Sequence, residues 1–295
     1  MKILVTGAKG QLGHDVTEEL KKRQHEVIET DIDNMDITDL ASVNDAFSRS
    51  KPDAVIHCAA WTAVDAAEEE NNREKVFAVN EKGTANLASV CDRQQIKMLY
   101  LSTDYVFDGQ GTTPWKPDCK DFSPLNVYGQ SKLAGEQAVA RLSRFFIVRI
   151  AWVFGKYGTN FIKTMLNAGK NHDTLRVVND QIGTPTYTFD LARLLADMIE
   201  TDKYGCYHAT NEGGYISWYE FAVEIFRQAT LLGYECYDAG HLRVIPVTTA
   251  EYGLRAAKRP LNSRLDKSKL LEEGFTPLPS WQDALHRYLL EELKE

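Results

Sequence analysis

The sequence predicts an α/β fold, a doubly wound parallel sheet joined to a smaller C-terminal domain, and three observations carry that prediction. Short apolar runs alternate with longer helical patterns from Met1 to about residue 150, the rhythm of right-handed βαβ units. The first run opens into Gly7, Gly10 and Gly13, spaced at three-residue intervals between a strand and a helix. Beyond residue 150 the rhythm loosens, and connections rich in Gly, Pro and polar residues separate the helices. That suits a domain closing over the carboxyl edge of the sheet.

Met1–Val5 reads as a short buried strand, and a helical pattern continues past Gly13 through Val16 and Leu20. Glycines so placed suit a dinucleotide pyrophosphate. Gly7 permits the tight turn, Gly10 lets the backbone approach the phosphates, and Gly13 lets the helix pack close. The helix N-terminus adds free N–H groups and a favourable dipole. This is a Rossmann-type pattern, and residues 1–150 are assigned to an NAD(P)-binding domain. Residues 151–295 are assigned mainly to substrate binding, with some segments returning to the sheet.

The second strand, Glu26–Thr30, ends at Asp31, about 20 residues past the glycines, where a carboxylate bonds an adenosine ribose. Asp31 should repel a 2′-phosphate and so favour NAD(H). Lys9 in the glycine loop offsets that repulsion, which leaves NADH and NADPH both open. The next helix begins near Asp36–Asp39, with Thr38 or Asp39 as its N-cap. The third strand, Ala54–Cys58, ends in Ala59-Ala60, small residues that leave room for a cofactor. His57 lies within that apolar run and reads as a core histidine, not a catalytic one. A long helix is expected over 74–95, in which Asn80 serves packing or a polar network.

The fourth strand, Met98–Leu101, delivers Ser102 to Phe107 at the edge where such a sheet presents its ligands. A loop containing Gly109, Gly111, Pro114, Pro117 and Pro124 follows, long enough to cover a pocket. Tyr128 and Lys132 then stand one helical turn apart on a single face. A free phenol titrates near ~10, and a cation held close favours the phenolate and eases proton exchange near neutrality. In a chain with 13 Tyr, the same spacing also arises as a plain surface pair. A fifth strand, Phe145–Ile150, precedes helices over 160–168, 189–200 and 218–232, a strand over 175–178, and an amphipathic helix from Trp281.

The 295 residues are 43% apolar and 26% charged, ordinary for a globular protein. A formal charge of −8 argues against a nucleic-acid partner, so an anionic ligand must be met by local cations. The five cysteines show no metal-binding or redox spacing. No charged leader with an apolar run opens the sequence, and no segment reaches transmembrane length. The expectation is a soluble, cytoplasmic protein with reduced thiols and no membrane partner.

In combination, Gly7-x-x-Gly10-x-x-Gly13, Thr103 at a strand end and Tyr128-x-x-x-Lys132 resemble the extended short-chain dehydrogenase/reductases that act on nucleotide sugars. Further strings resemble the dTDP-4-dehydrorhamnose reductase family. They are Ser102-Thr103-Asp104-Tyr105-Val106-Phe107, Pro124-Leu125-Asn126-Val127-Tyr128-Gly129, Asn179-Asp180-Gln181 with Gly183-Thr184-Pro185-Thr186, and Arg259-Pro260-x-Asn262-Ser263-Arg264. The likeness runs from about Met1 to about Trp281.

This resemblance implies that Gly7, Gly10, Gln11, Leu12, Asp31, Asp36, Ile37, Ala59, Ala60 and Thr62 line a site for NADPH or NADH, together with Tyr128 and Lys132. It implies that Thr103, Asp104 and Trp152 contact a sugar and that Arg259 anchors a diphosphate. Without it, Trp152 is equally ordinary core. Arg259, with a surface ion pair as its alternative, is still favoured as a ligand because its fork suits a diphosphate and an acidic protein needs a local counter-charge. The implied reaction is reduction of dTDP-4-dehydro-β-L-rhamnose to dTDP-L-rhamnose, the last step of dTDP-rhamnose synthesis. Tyr128 protonates the developing alkoxide, Thr103 bonds the same oxygen and Lys132 holds the nicotinamide ribose. Some members of the family form a metal-bridged dimer. No metal ligands can be assigned in this chain, and a monomer or homodimer is expected. A dehydratase needs a second carboxylate after Thr103-Asp104, where Tyr105 stands. Another nucleotide-sugar 4-ketoreductase, an epimerase and a non-catalytic dinucleotide-binding subunit are the alternatives.

Overall fold

The computed structural model describes residues 1–253 and 255–293. The first half comprises β1 (Lys2–Thr6), α1 (Gln11–Lys22), β2 (Glu26–Thr30), α2 (Leu40–Ser50), β3 (Ala54–His57), α3 (Glu70–Phe77), α4 (Thr84–Gln94), β4 (Lys97–Thr103), α5 (Val127–Val139) and β5 (Phe145–Ile150). The second half continues with β6 (Val153–Phe154), α6 (Phe161–Asn171), β7 (Thr174–Val178), β8 (Ile182–Gly183), β9 (Thr186–Tyr187), α7 (Thr188–Ile199) and β10 (Gly205–His208). It ends with β11 (Ile216–Ser217), α8 (Trp218–Leu231), β12 (Arg243–Val247), the short α9 (Thr249–Tyr252) and α10 (Ser268–Glu272), and α11 (Trp281–Glu292).

Six strands pair in parallel in the order β10-β5-β4-β3-β1-β2, the α/β sheet expected from the sequence. The inner strands read as unbroken apolar runs because helices cover both faces. Val16 and Leu20 of α1 pack with Leu191 and Leu195 of α7 on one side. Phe47, Leu87, Val90 and Val139 of α2, α4 and α5 pack on the other. Strand order reverses between β1 and β3, which opens a crevice at their carboxyl ends. A separate apolar cluster, including Phe154, Phe221, Phe226, Trp281 and Leu285, joins α6, α8 and α11.

The structure departs from the sequence pattern in places. Ser102 and Thr103 extend β4, pairing with Arg149 and Ile150 of β5. The helix expected over 74–95 starts at Glu70 and passes through wide π-type turns at Ala78–Gly83. This widening brings the Asn80 carbonyl against α5, where a Cβ on Gly135 would lie only 2.6 Å from it. The sixth strand, β10, comes from the second half, where four residues between polar segments carry no legible alternation. β12 lies parallel to β7 in a small sheet of its own. The five cysteines are free, and among the described residues no helix is long and apolar enough to cross a membrane.

Candidate active site

A cleft of about 1020 Å³ runs along the carboxyl ends of β1, β3 and β4. Its floor is the glycine turn. Gly7 has a φ of +63°, and a Cβ there would lie 2.7 Å from the Ala59 backbone. A Cβ on Gly13 would lie 2.0 Å from the Gly7 carbonyl oxygen, so α1 can begin here only on glycine. No side chain caps α1 at its N-cap, Gly10, which leaves the first-turn N–H groups for an anionic ligand. Gln11 and Leu12 line the wall beside them. These features fit a dinucleotide pyrophosphate.

Asp31 stands in the same cleft. Its carboxylate accepts the Lys9 N–H at 3.1 Å and the Ile32 N–H at 2.9 Å. The Lys9 ammonium instead pairs with Asp33 at 2.6 Å, so the cation expected to offset Asp31 is matched by another carboxylate. Asp36, which accepts the Thr38 N–H at 2.8 Å, lines the cleft with Ile37, Ala59, Ala60 and Thr62. His57 is buried between the Thr6 and Thr84 hydroxyls at 2.6 and 3.0 Å, and burial pushes it down to about 3. It is a core histidine.

Thr103, Asp104, Tyr128, Lys132 and Trp152 line the other part of the cleft. The helix that carries Tyr128 is fixed at its start. Asn126 accepts the Gly129 N–H at 2.8 Å as N-cap, and Glu68 accepts the Val127 N–H at 2.7 Å. The Ser131 hydroxyl donates to the Tyr128 carbonyl at 2.7 Å and accepts from Asn80 at 2.9 Å. Asn80 also bonds the Trp61 N–H and carbonyl at 2.8 and 3.1 Å, so its place is in a polar network.

Lys132 is 3% exposed, and its ammonium donates to the Leu101 carbonyl at 2.7 Å. Burial pushes it down to about 7, against the pull of Glu136. Burial raises the Tyr128 phenol, the Asp104 charge raises it further, and the Thr103 hydroxyl opposes both. The sequence expectation that Lys132 would ease ionisation of the phenol is therefore corrected. Desolvation wins, and the Tyr128 phenol is held protonated. Asp104 is 2% exposed and is pushed up to about 6 by burial, with Ser263 and Thr103 favouring its charged form.

Trp152 has a φ of +51°, a costly conformation for a bulky residue. It is held by the Thr186 N–H on its carbonyl at 3.1 Å and by stacking of its indole on Trp218 at 3.7 Å. Trp152 and Tyr105 also line a second cleft, of about 980 Å³. Arg259 lines that second cleft with Trp152 and does not line the first. Its guanidinium grips both oxygens of Asp65, at 2.9 and 2.7 Å. Among the described residues no group of three or more His, Cys, Asp or Glu side chains is placed to hold a metal ion.

The family model described as the RmlD substrate binding domain matches residues 1–294. A dTDP-4-dehydrorhamnose reductase of Aggregatibacter actinomycetemcomitans is 42% identical, the match covering 96% of this chain and 97% of that one. The chain belongs to the dTDP-4-dehydrorhamnose reductase family. Within it, the crystal structure of a dTDP-4-dehydrorhamnose reductase ortholog from Clostridium acetobutylicum superposes with a TM-score of 0.91 at 41% identity, covering all of both chains. That of Bacillus anthracis, in complex with NADP, gives 0.90 at 39% identity, covering 98% of this chain and 99% of the other.

Several residues that shape this member of the dTDP-4-dehydrorhamnose reductase family were not singled out by sequence pattern. Asn126 had a local signal, an Asn three residues before Gly129 at a helix start. Glu68 and Asp65 had none, because their partners lie 59 and 194 residues away.

Proposed function

We propose that this chain reduces dTDP-4-dehydro-β-L-rhamnose to dTDP-L-rhamnose with NADPH or NADH, the final step of dTDP-rhamnose formation. The meeting of two clefts at Tyr105 and Trp152 carries this reading, with the Tyr128 ring 5.6 Å from that of Tyr105. One cleft suits a dinucleotide. The other, lined by Trp218, Arg176, Arg255 and Arg259, suits a base and a diphosphate that carries the sugar. A bound reduced nicotinamide supplies the hydride. Tyr128 donates its proton to the sugar oxygen as charge develops there, a role supported by the burial that keeps the phenol protonated. Thr103 bonds the same oxygen, Asp104 and Trp152 contact the sugar, and Lys132 holds the nicotinamide ribose.

In this reading residues 1–150 hold the dinucleotide and 151–295 mainly the nucleotide sugar. The chain works in the cytoplasm as a monomer or homodimer without a nucleic-acid partner, in keeping with its formal charge of −8. Purified protein incubated with the keto-sugar and each reduced cofactor tests the proposal. Stoichiometric cofactor oxidation with dTDP-L-rhamnose as product supports it. Turnover without net oxidation would mark an epimerase, and reduction to the other C4 stereoisomer a different ketoreductase.

A further inference from the structure

The Thr103 hydroxyl has one proton and two claimants. Its O–H donates to Asp104 Oδ1 at 3.1 Å, and its oxygen accepts the Tyr105 N–H at 3.2 Å. An ionised carboxylate only accepts, so a charged Asp104 commits the Thr103 proton to itself. Once Tyr128 has given up its proton, the same hydroxyl would have to turn that proton toward the phenolate oxygen to favour the anion. A single proton cannot do both. It cannot serve a reacting oxygen either while Asp104 holds it.

The surroundings of Asp104 offer a resolution. The side chain is 2% exposed, and Oδ2 is buried with no hydrogen-bond partner among the described residues, so desolvation favours the neutral acid. A neutral Asp104 can donate its O–H to Thr103 Oγ1. Together with the Tyr105 N–H, that bond fills both lone pairs of the hydroxyl and frees its own proton to point elsewhere.

We propose that Asp104 is a positioning residue whose proton turns the Thr103 hydroxyl toward the reacting oxygen, so that reduction requires neutral Asp104. This rests on the roles given above to Thr103 and Tyr128. The groups that face Asp104 are the Ser263 hydroxyl, which favours the carboxylate, and the phenols of Tyr105 on its own turn and Tyr128 on α5. Arg259 and Asp65 act on Tyr105 from beyond it. Burial outweighs the hydrogen bonds to the carboxylate, and Asp104 titrates near about 6 in the free protein.

The test compares kcat/KM for the keto-sugar at saturating NADPH, from about pH 5.5 to about pH 8, in wild type, Asp104→Asn, Thr103→Val and the double variant. Asn presents an N–H to Thr103 at every pH. The wild-type value should fall about tenfold or more as pH rises. Asp104→Asn should lose the fall, its kcat/KM varying by less than about threefold across the range whatever its absolute level. Thr103→Val should be slow and nearly flat, and adding Asp104→Asn should change it no further. An unchanged fall in Asp104→Asn, or an equal loss at every pH, overturns the proposal.

A second readout needs no turnover. The ¹³C-carboxyl resonance assigned to Asp104 by its absence from Asp104→Asn should titrate well above the ordinary aspartate range in the NADPH complex. Titration within that range overturns the proposal. Failure of wild type to reduce the keto-sugar would instead strike the functional reading, and the titration would still decide where the Asp104 proton lies.

Discussion

The Lys132 ammonium rests 4.1 Å from the centroid of the Tyr100 ring, and the Tyr100 hydroxyl donates to the Lys132 carbonyl at 3.2 Å. A ring face thus replaces part of the water a buried ammonium loses. Gly135 makes the approach possible, since a Cβ there would lie 2.4 Å from the Tyr100 hydroxyl oxygen.

The pH dependence of dinucleotide binding follows from that burial. In the free protein Lys132 is ammonium below about 7 and neutral above it. Ribose hydroxyls that accept from the ammonium favour the charged form and raise its pKa in the complex. Affinity should be greatest below about 7 and fall as pH rises, by up to about tenfold per pH unit until the complex itself loses the proton. Calorimetry in two buffers of different ionisation enthalpy should detect proton uptake on binding in that window. Tyr100→Leu should move the onset to lower pH, whereas Tyr100→Phe, which keeps the ring, should not. Affinity independent of pH would remove Lys132 from the binding site.

Tyr128→Phe tests the proton donor. It removes the phenolic oxygen and leaves the ring that lies edge-on to Tyr105. Turnover should drop by about 10²-fold or more, while NADPH affinity, measured by fluorescence titration, should change little. Full turnover in this variant would end the assignment.

The fold and the dinucleotide cleft were largely legible in the sequence because their signals are local. Glu26–Thr30 and Phe145–Ile150 match observed strands residue for residue, as short segments rich in apolar and β-branched residues should. Gly7 and Gly13 announced a turn and a close packing that only glycine allows. The environment of Tyr128 was not legible. Its acidity is set by burial, and Lys132 turns to Leu101 and Tyr100, which sequence spacing cannot reveal. β10 was missed for a related reason, since its place beside β5 is fixed by pairing and not by its own four residues.

The glycine turn yields paired predictions with different readouts. Gly13→Ala drives a Cβ to 2.0 Å from the Gly7 carbonyl, and backbone must shift. It should destabilise the protein by about 2 kcal/mol, with a lower Tm and weaker NADPH binding. Gly10 has an ordinary φ of −77°, and a Cβ there would meet only the Gly7 carbonyl, at 3.1 Å. Gly10→Ala should therefore leave Tm nearly unchanged and still weaken binding, because the methyl stands where the backbone must approach phosphate. Similar thermal losses in both variants would mean that Gly10 serves packing alone.

Arg259 poses a question of competition. Its planar fork is already engaged by Asp65 in a bidentate pair whose side chains are 25% and 39% exposed. A pair this open contributes about 1 kcal/mol or less to stability, so a substrate diphosphate can compete for the guanidinium. Arg259→Ala should raise KM for the nucleotide sugar more than it lowers kcat, because the contact lies away from the reacting carbon. Asp65→Asn should act in the opposite direction. It frees the fork at little cost to folding, and KM should fall about two- to threefold with kcat unchanged. A raised KM in Asp65→Asn would mean that Asp65 aims the guanidinium at the substrate instead of withholding it. An unaltered KM in Arg259→Ala would reduce the pair to a clasp between the Asp65 turn and the segment around Arg259.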